Sequence, residues 1–166
     1  ATQGGRMVGS GIKPLIYTAA LESGMTPATL INDAPVVFDQ TEGATDWRPQ
    51  NSGGTFLGPT RLRTALYRSR NLVSVRLVRE LGVNRIIDIA ERFGIDATKL
   101  PRNLSISLGT ASLTPLSMAE IYAIFANGGF RVKNHLIDDF DITIIIKDCS
   151  FIIGYCNITI HWSLHR

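Results

Sequence analysis

The stretch Gly9-Ser10-Gly11-Ile12-Lys13-Pro14-Leu15-Ile16-Tyr17-Thr18-Ala19-Ala20 decides how the rest of the chain is read. The apolar positions Leu15, Ile16, Ala19 and Ala20 recur at helical spacing, and Gly24 stops the pattern. The expectation is a helix from Ser10 to about Ser23. Pro14 fits only near a helix start, where its missing N–H has no partner to lose. On such a helix, positions three apart share a face, so the Ser10 hydroxyl and the Lys13 amine are brought together. A serine hydroxyl is a weak nucleophile until a neighbouring base takes its proton. A lysine serves as that base when burial and nearby cations lower its pKa. Alone, Ser-x-x-Lys also describes a helix cap followed by a solvated lysine.

Downstream, residues 24–60 read as a long connection broken by Pro27, Pro35, Pro49, Pro59 and Ser52-Gly53-Gly54. A connection of this length inside a domain usually borders a site. Helical patterns resume at Arg61. Leu62, Ala65 and Leu66 share one face; Val73, Leu77, Val78 and Leu81 share the next, which ends at Gly82. Asn84 is expected to cap a third helix with Ile86, Ile87, Ala90 and Phe93 inward and Gly94 as terminator. Thr114 is expected to cap a fourth, with Pro115 first and Met118, Ile121, Tyr122 and Phe125 as its apolar stripe. Such stripes are core, and no catalytic role is assigned to them.

Between the first two of these later helices stands Ser69-Arg70-Asn71. A serine there can relay a proton, and an asparagine amide offers a substrate peptide both a donor and an acceptor. By itself Ser-x-Asn reads as a turn or cap. Together with Ser10-Gly11-Ile12-Lys13 it forms two of the three elements of a known signature, the third being Lys-Thr-Gly.

The surroundings resemble one branch of that group, the class A, bifunctional penicillin-binding proteins, in their transpeptidase domain. Gly9–Pro14 with Tyr17 is similar to that family's nucleophile helix, and Asp46-Trp47-Arg48-Pro49-Gln50-Asn51 to its loop before the second motif. Gly58-Pro59-Thr60-Arg61-Leu62-Arg63 through Asn71 resembles the second-motif region. Leu108-Gly109-Thr110-Ala111-Ser112-Leu113-Thr114-Pro115, followed by Phe125-Ala126-Asn127-Gly128-Gly129, resembles a further family stretch. The likeness covers about residues 4–133. It implies an α/β (α+β) fold of the penicillin-binding and serine β-lactamase type, helix-rich here and with an incomplete sheet. The flanking residues resemble the transpeptidase branch rather than the β-lactamases.

What the resemblance implies for chemistry is serine acyl transfer. Ser10 would attack the D-Ala-D-Ala carbonyl of a peptidoglycan stem peptide, Lys13 would be the base, Ser69 the proton relay and Asn71 a substrate hydrogen-bond partner. β-Lactams would acylate Ser10 as substrate mimics. No cofactor or metal is implied. The parent protein would be anchored in the cytoplasmic membrane and face the cell wall. In the family, Lys-Thr-Gly lies on a strand beside the nucleophile, binds the substrate carboxylate and adjoins the oxyanion hole. The four lysines here are Lys13, Lys99, Lys133 and Lys147, and none is followed by Ser/Thr-Gly. Two other readings stay open: an inert fragment of this family, and a non-enzymatic basic module binding an anionic polymer.

Composition frames these readings. In 166 residues, 45% are hydrophobic and 19% charged, which suits a globular domain with a core. The net charge of +3 is uneven: residues 1–133 hold 15 basic and 10 acidic side chains, and residues 134–166 hold 2 and 4. Six arginines between Arg61 and Arg79 raise the question of an anionic partner, but no nucleic-acid motif accompanies them and a solvated helix face is expected. After Lys133 the composition breaks, with nine isoleucines in the last 33 residues. The expected organisation is therefore a partial transpeptidase domain at 1–133 and a divergent tail at 134–166 that packs poorly. A frame shift or a truncation would each account for the tail. Cys149, Cys156, His161 and His165 fall in it, but the spacing is wrong for a zinc finger. No run approaches the ~18 apolar residues of a bilayer span. Ala1 follows neither an initiator methionine nor a signal-peptide pattern, and is expected to be a cut into a longer chain.

Overall fold

In a computed structural model of the chain, residues 4–38 and 46–131 are described. The Ser10 segment forms a tight turn of 3-10 helix, Gly9–Ile12, that runs straight into helix α1, Lys13–Glu22. The α-helix therefore starts three residues later than expected. Pro14 is the cause. It has no N–H to give back to Ser10, so the backbone N–H of Lys13 bonds the Ser10 carbonyl and the first turn tightens. In a 3-10 turn, positions i and i+3 eclipse, so the tightening still places Ser10 and Lys13 on one edge.

Leu15, Ile16, Ala19 and Ala20 of α1 are fully buried, as their spacing predicts. Helix α1 packs against α2 (Leu62–Tyr67), α3 (Asn71–Leu81), α4 (Val83–Arg92) and the 3-10 segment Leu104–Leu108. Helix α3 buries Leu72, Val73, Ser74, Val75, Leu77 and Val78. That is more than the single face read from the sequence. A helix covered on most sides carries no clean stripe.

Asn84 does not cap α4. Only Gly82 separates α3 from α4, at φ 87° and ψ 143°, so Asn84 already lies inside the first turn. In helix α5, Pro115–Ala126, the Thr114 hydroxyl accepts from the Ser117 N–H at 3.1 Å, the expected cap. Its buried positions are Ile121 and Ile124. Tyr122 is exposed, so the expected stripe is rotated by part of a turn. The chain divides into two units, Ala1–Met118 and Ala119–Arg166, and α5 crosses the division.

Among the described residues the strands are short. β1 (Arg6–Met7) pairs antiparallel with β4 (Ser112–Leu113), and β2 (Leu30–Asp33) with β3 (Gly58–Arg61). The connection read as irregular thus contains β2, β3 and a bridge between Phe38 and Trp47. Along β2 the period of two turns Ile31 and Asp33 inward and leaves Leu30 and Asn32 exposed. Asp33 is fully buried, and a buried carboxylate needs partners. The expectations for residues 134–166, including Cys149, Cys156, His161 and His165, lie outside the described residues. Among the described residues, no helix is long and apolar enough to cross a membrane.

Candidate active site

Two loops meet at the start of α1. The first is the Ser10 turn, held from outside by backbone pairing. Val8 N–H donates to Ala111 O and Gly9 N–H to Gly109 O, both at 3.0 Å, alongside the β1–β4 pair. The second is the hairpin between α2 and α3. There Ser69 N–H donates to Leu66 O, and Arg70 N–H to Ala65 O, both at 2.9 Å. Ser69 takes φ 53°, the left-handed region, the one such non-glycine among the described residues. Strain of this kind costs on the order of 1–3 kcal/mol and persists where the surroundings hold it.

That conformation points both oxygens of Ser69 at Lys13. The Lys13 Nζ donates to Ser69 O at 2.7 Å, to Ser69 Oγ at 2.8 Å and to Asn71 Oδ1 at 2.7 Å. Those are all three donors of an ammonium group. Ser69 Oγ in turn donates to Ser10 Oγ at 2.9 Å. The structure thus brings Ser10, Lys13, Ser69 and Asn71 into one cluster. The hydrogen-bonded path from nucleophile to amine passes through Ser69. Ser10 is exposed, whereas Lys13 is 1% exposed. The Lys13 amine is lowered to about 8, first by burial and then by the Arg70 cation. Asn71 spends part of its amide inside the protein, since its Nδ2 also donates to Gln50 O at 2.9 Å.

Behind this cluster lies a buried polar hub that motif reading did not assign. Arg70 Nε donates to Asp33 Oδ2 at 2.7 Å, and its terminal nitrogen bonds Thr55 O. Asp33 also accepts from Asn51 Nδ2 at 2.7 Å and from Leu57 N–H at 3.0 Å. Asn51 Oδ1 accepts from the N–H groups of Asn71 and Leu72, at 2.8 and 3.2 Å, so it caps α3 from a distant loop. No local periodicity could reveal that cap; the only signal was Asn51 within the Asp46–Asn51 stretch. Asn51→Ala is expected to lower stability by about 2–3 kcal/mol, because it leaves buried donors and an acceptor unpaired. Urea unfolding of the two chains checks this.

The six arginines do not form one solvated face. Arg70 is buried. Arg76 donates to Ala34 O and Pro35 O, Arg79 stacks over Phe38 at 5.3 Å, and Arg68 lies over Tyr67 at 5.7 Å. Several are spent on internal contacts, which the charge pattern alone did not show.

Comparison with known proteins agrees with this geometry. Residues 1–147 match the family described as the penicillin binding protein transpeptidase domain. The chain is 49% identical over 138 residues to penicillin-binding protein 1A of Pseudomonas aeruginosa, covering 83% of this chain and 17% of that protein. It is 51% identical over 134 residues to penicillin-binding protein 1A of Vibrio cholerae, covering 80% and 16%. The chain therefore spans about a sixth of the length of these curated relatives. Among solved structures, penicillin-binding protein 1A from Haemophilus influenzae superposes with a TM-score of 0.79 at 40% identity, over 83% of this chain and 20% of that one. The penicillin G acyl-enzyme complex of penicillin-binding protein A from M. tuberculosis gives 0.66 at 27% identity, over 79% and 34%. The helices around Ser10 and Lys13, with their short strand pairs, are thus part of an incomplete α/β transpeptidase fold, and the chain belongs to the penicillin-binding protein transpeptidase domain family.

Proposed function

We propose that this chain carries the nucleophile and proton-transfer half of a peptidoglycan DD-transpeptidase centre. The observation that carries the reading is the relay from exposed Ser10 through Ser69 to buried Lys13. As the resting ammonium, Lys13 donates to Ser69. Once deprotonated it offers a lone pair, and both hydroxyls turn round: Ser10 donates to Ser69 and Ser69 to Lys13. Ser10 Oγ then attacks the penultimate D-Ala carbonyl while its proton passes along Ser69 to Lys13. The terminal D-Ala leaves as an amine that takes a proton back, and an amine on a neighbouring stem accepts the acyl group. β-Lactams would enter the same way, as imipenem and penicillin G do in the acyl-enzyme complexes of M. tuberculosis penicillin-binding protein A. The parent protein would act at the outer face of the cytoplasmic membrane. The domain boundary at Lys133 rests on the change in composition, while the family match runs on to residue 147.

The test is a fusion of residues 1–131 to the C-terminal part of the transpeptidase domain of the P. aeruginosa relative, the part in which this family carries its third motif. Labelled penicillin is expected to acylate it stoichiometrically, and Ser10→Ala to abolish the label. Because neutral Lys13 is the base and its amine titrates at about 8, the acylation rate should rise with pH. About a tenth of Lys13 is neutral one unit below that value, and half at it. A folded fusion that takes no label, or a rate that falls as pH rises from 6 to 9, would overturn the reading.

A further inference from the structure

We infer that the buried Asp33–Arg70 ion pair is the positioning device of this centre, holding Ser69 and Asn71 against Lys13 and keeping a fixed cation behind the amine. The inference rests on the reading of Lys13 as the base. Arg70 stands between the two residues that Lys13 touches. Its backbone is extended, at φ −70° and ψ 117°, which sends its side chain away from those of its neighbours. Ser69 and Asn71 therefore face Lys13 while Arg70 runs inward to Asp33 on β2. Asn51 joins the same carboxylate to the first N–H groups of α3. A closed circuit results, from Arg70 to Asp33 to Asn51 and back to Asn71. Shifting any member moves the segment that presents Ser69, whose left-handed backbone needs outside support.

The choice of a charged pair is informative. Buried ion pairs can often be exchanged for apolar residues without loss of stability, so stability alone is a poor reason for this one. Its position supplies another reason. Among the described residues, Arg70 is the charged group that acts on the Lys13 amine, and Tyr17 lies one turn further along α1. Tyr17 is pushed up to about 12, chiefly by burial, and stays neutral. Arg85 and Arg92 of α4 bind Glu22 at the opposite end of α1. On α2, Arg63 is exposed and Arg68 lies over Tyr67. The segment Leu104–Leu108 carries no charge. Arg70 is thus the cation that acts on the amine, and Asp33 fixes where it sits.

The test titrates the full chain labelled with ¹³C at lysine Cε, with Lys13→Met used to assign one of four signals. Arg70→Gln is expected to raise the Lys13 titration by roughly one unit, since it removes the cation and leaves Asp33 behind. Arg70→Lys should keep it low, and Asp33→Asn should raise it by less than Arg70→Gln does, because the loosened cation is still held by Thr55 O. A merely structural pair would give the same upward drift in Arg70→Gln and Asp33→Asn, and that result overturns the inference. Should Arg70→Gln fail to fold, Arg70→Lys decides: a folded chain with Lys13 raised to the ordinary lysine range also overturns it. Acylation of the fusion is a separate reading. If Lys13 follows the pattern and the fusion stays unlabelled, the transpeptidase reading fails; if the fusion labels and Lys13 ignores Arg70, this inference fails.

Discussion

Labelled penicillin is expected to leave the 166-residue chain almost unmodified. The expectation follows from what the cluster contains. Ser10, Ser69 and Lys13 supply a nucleophile and a path for its proton. None of the four lysines is followed by Ser/Thr-Gly, so the motif that clamps the substrate carboxylate in this family does not occur in the sequence. The strand bearing that motif also adjoins the second oxyanion donor. Removing one oxyanion donor costs about 10²–10³ in rate. Losing the carboxylate clamp as well should cost more, because both act on the transition state rather than on binding alone. Stoichiometric labelling within minutes, abolished by Ser10→Ala, would refute this. It would mean that residues beyond Lys133 supply a substitute strand.

The legible part of the site was its local part. Ser-x-x-Lys is read from one turn, and a spacing of three survives the exchange of α-helix for 3-10 helix, so Ser10 and Lys13 stay on one edge despite the misplaced helix start. Ser69 and Asn71 came from a short motif in known order. Asp33 was not legible, because a single carboxylate in a proline-broken stretch carries no sign that β2 turns it inward. Arg70 was hidden differently. Six arginines within 19 residues look like surface charge, and only tertiary pairing separates the buried one from the rest. Asn51 caps a helix twenty residues away, which no local capping rule detects. The α5 stripe was misplaced because Ile124 was passed over for Tyr122 and Phe125, whose rings fit the same helical period.

Gly109→Ala tests whether the Ser10 turn is held from outside, and it is expected to damage both stability and the site. Gly109 has φ 71°, where a side chain is strained in any surroundings. The space is also closed: a Cβ there would lie 1.9 Å from Gly9 O and 2.6 Å from Gly9 N. Those atoms are backbone, so no rotamer change relieves the clash. Either the Gly109 loop withdraws, breaking the bonds from Gly9 N–H and Val8 N–H, or Gly9 moves and carries Ser10 with it. Strain and lost hydrogen bonds together suggest about 3–5 kcal/mol. Gly53→Ala is the control, since that glycine shares a positive φ of 83° but meets nothing within 4 Å. It should cost only the backbone strain, about 1–2 kcal/mol. Urea unfolding of the two variants gives the difference. In the labelled fusion, Gly109→Ala should also slow acylation of Ser10 while Gly53→Ala leaves it near the parent rate. Equal losses of stability and of rate in the two variants would show that the Gly109 loop does not hold the nucleophile turn.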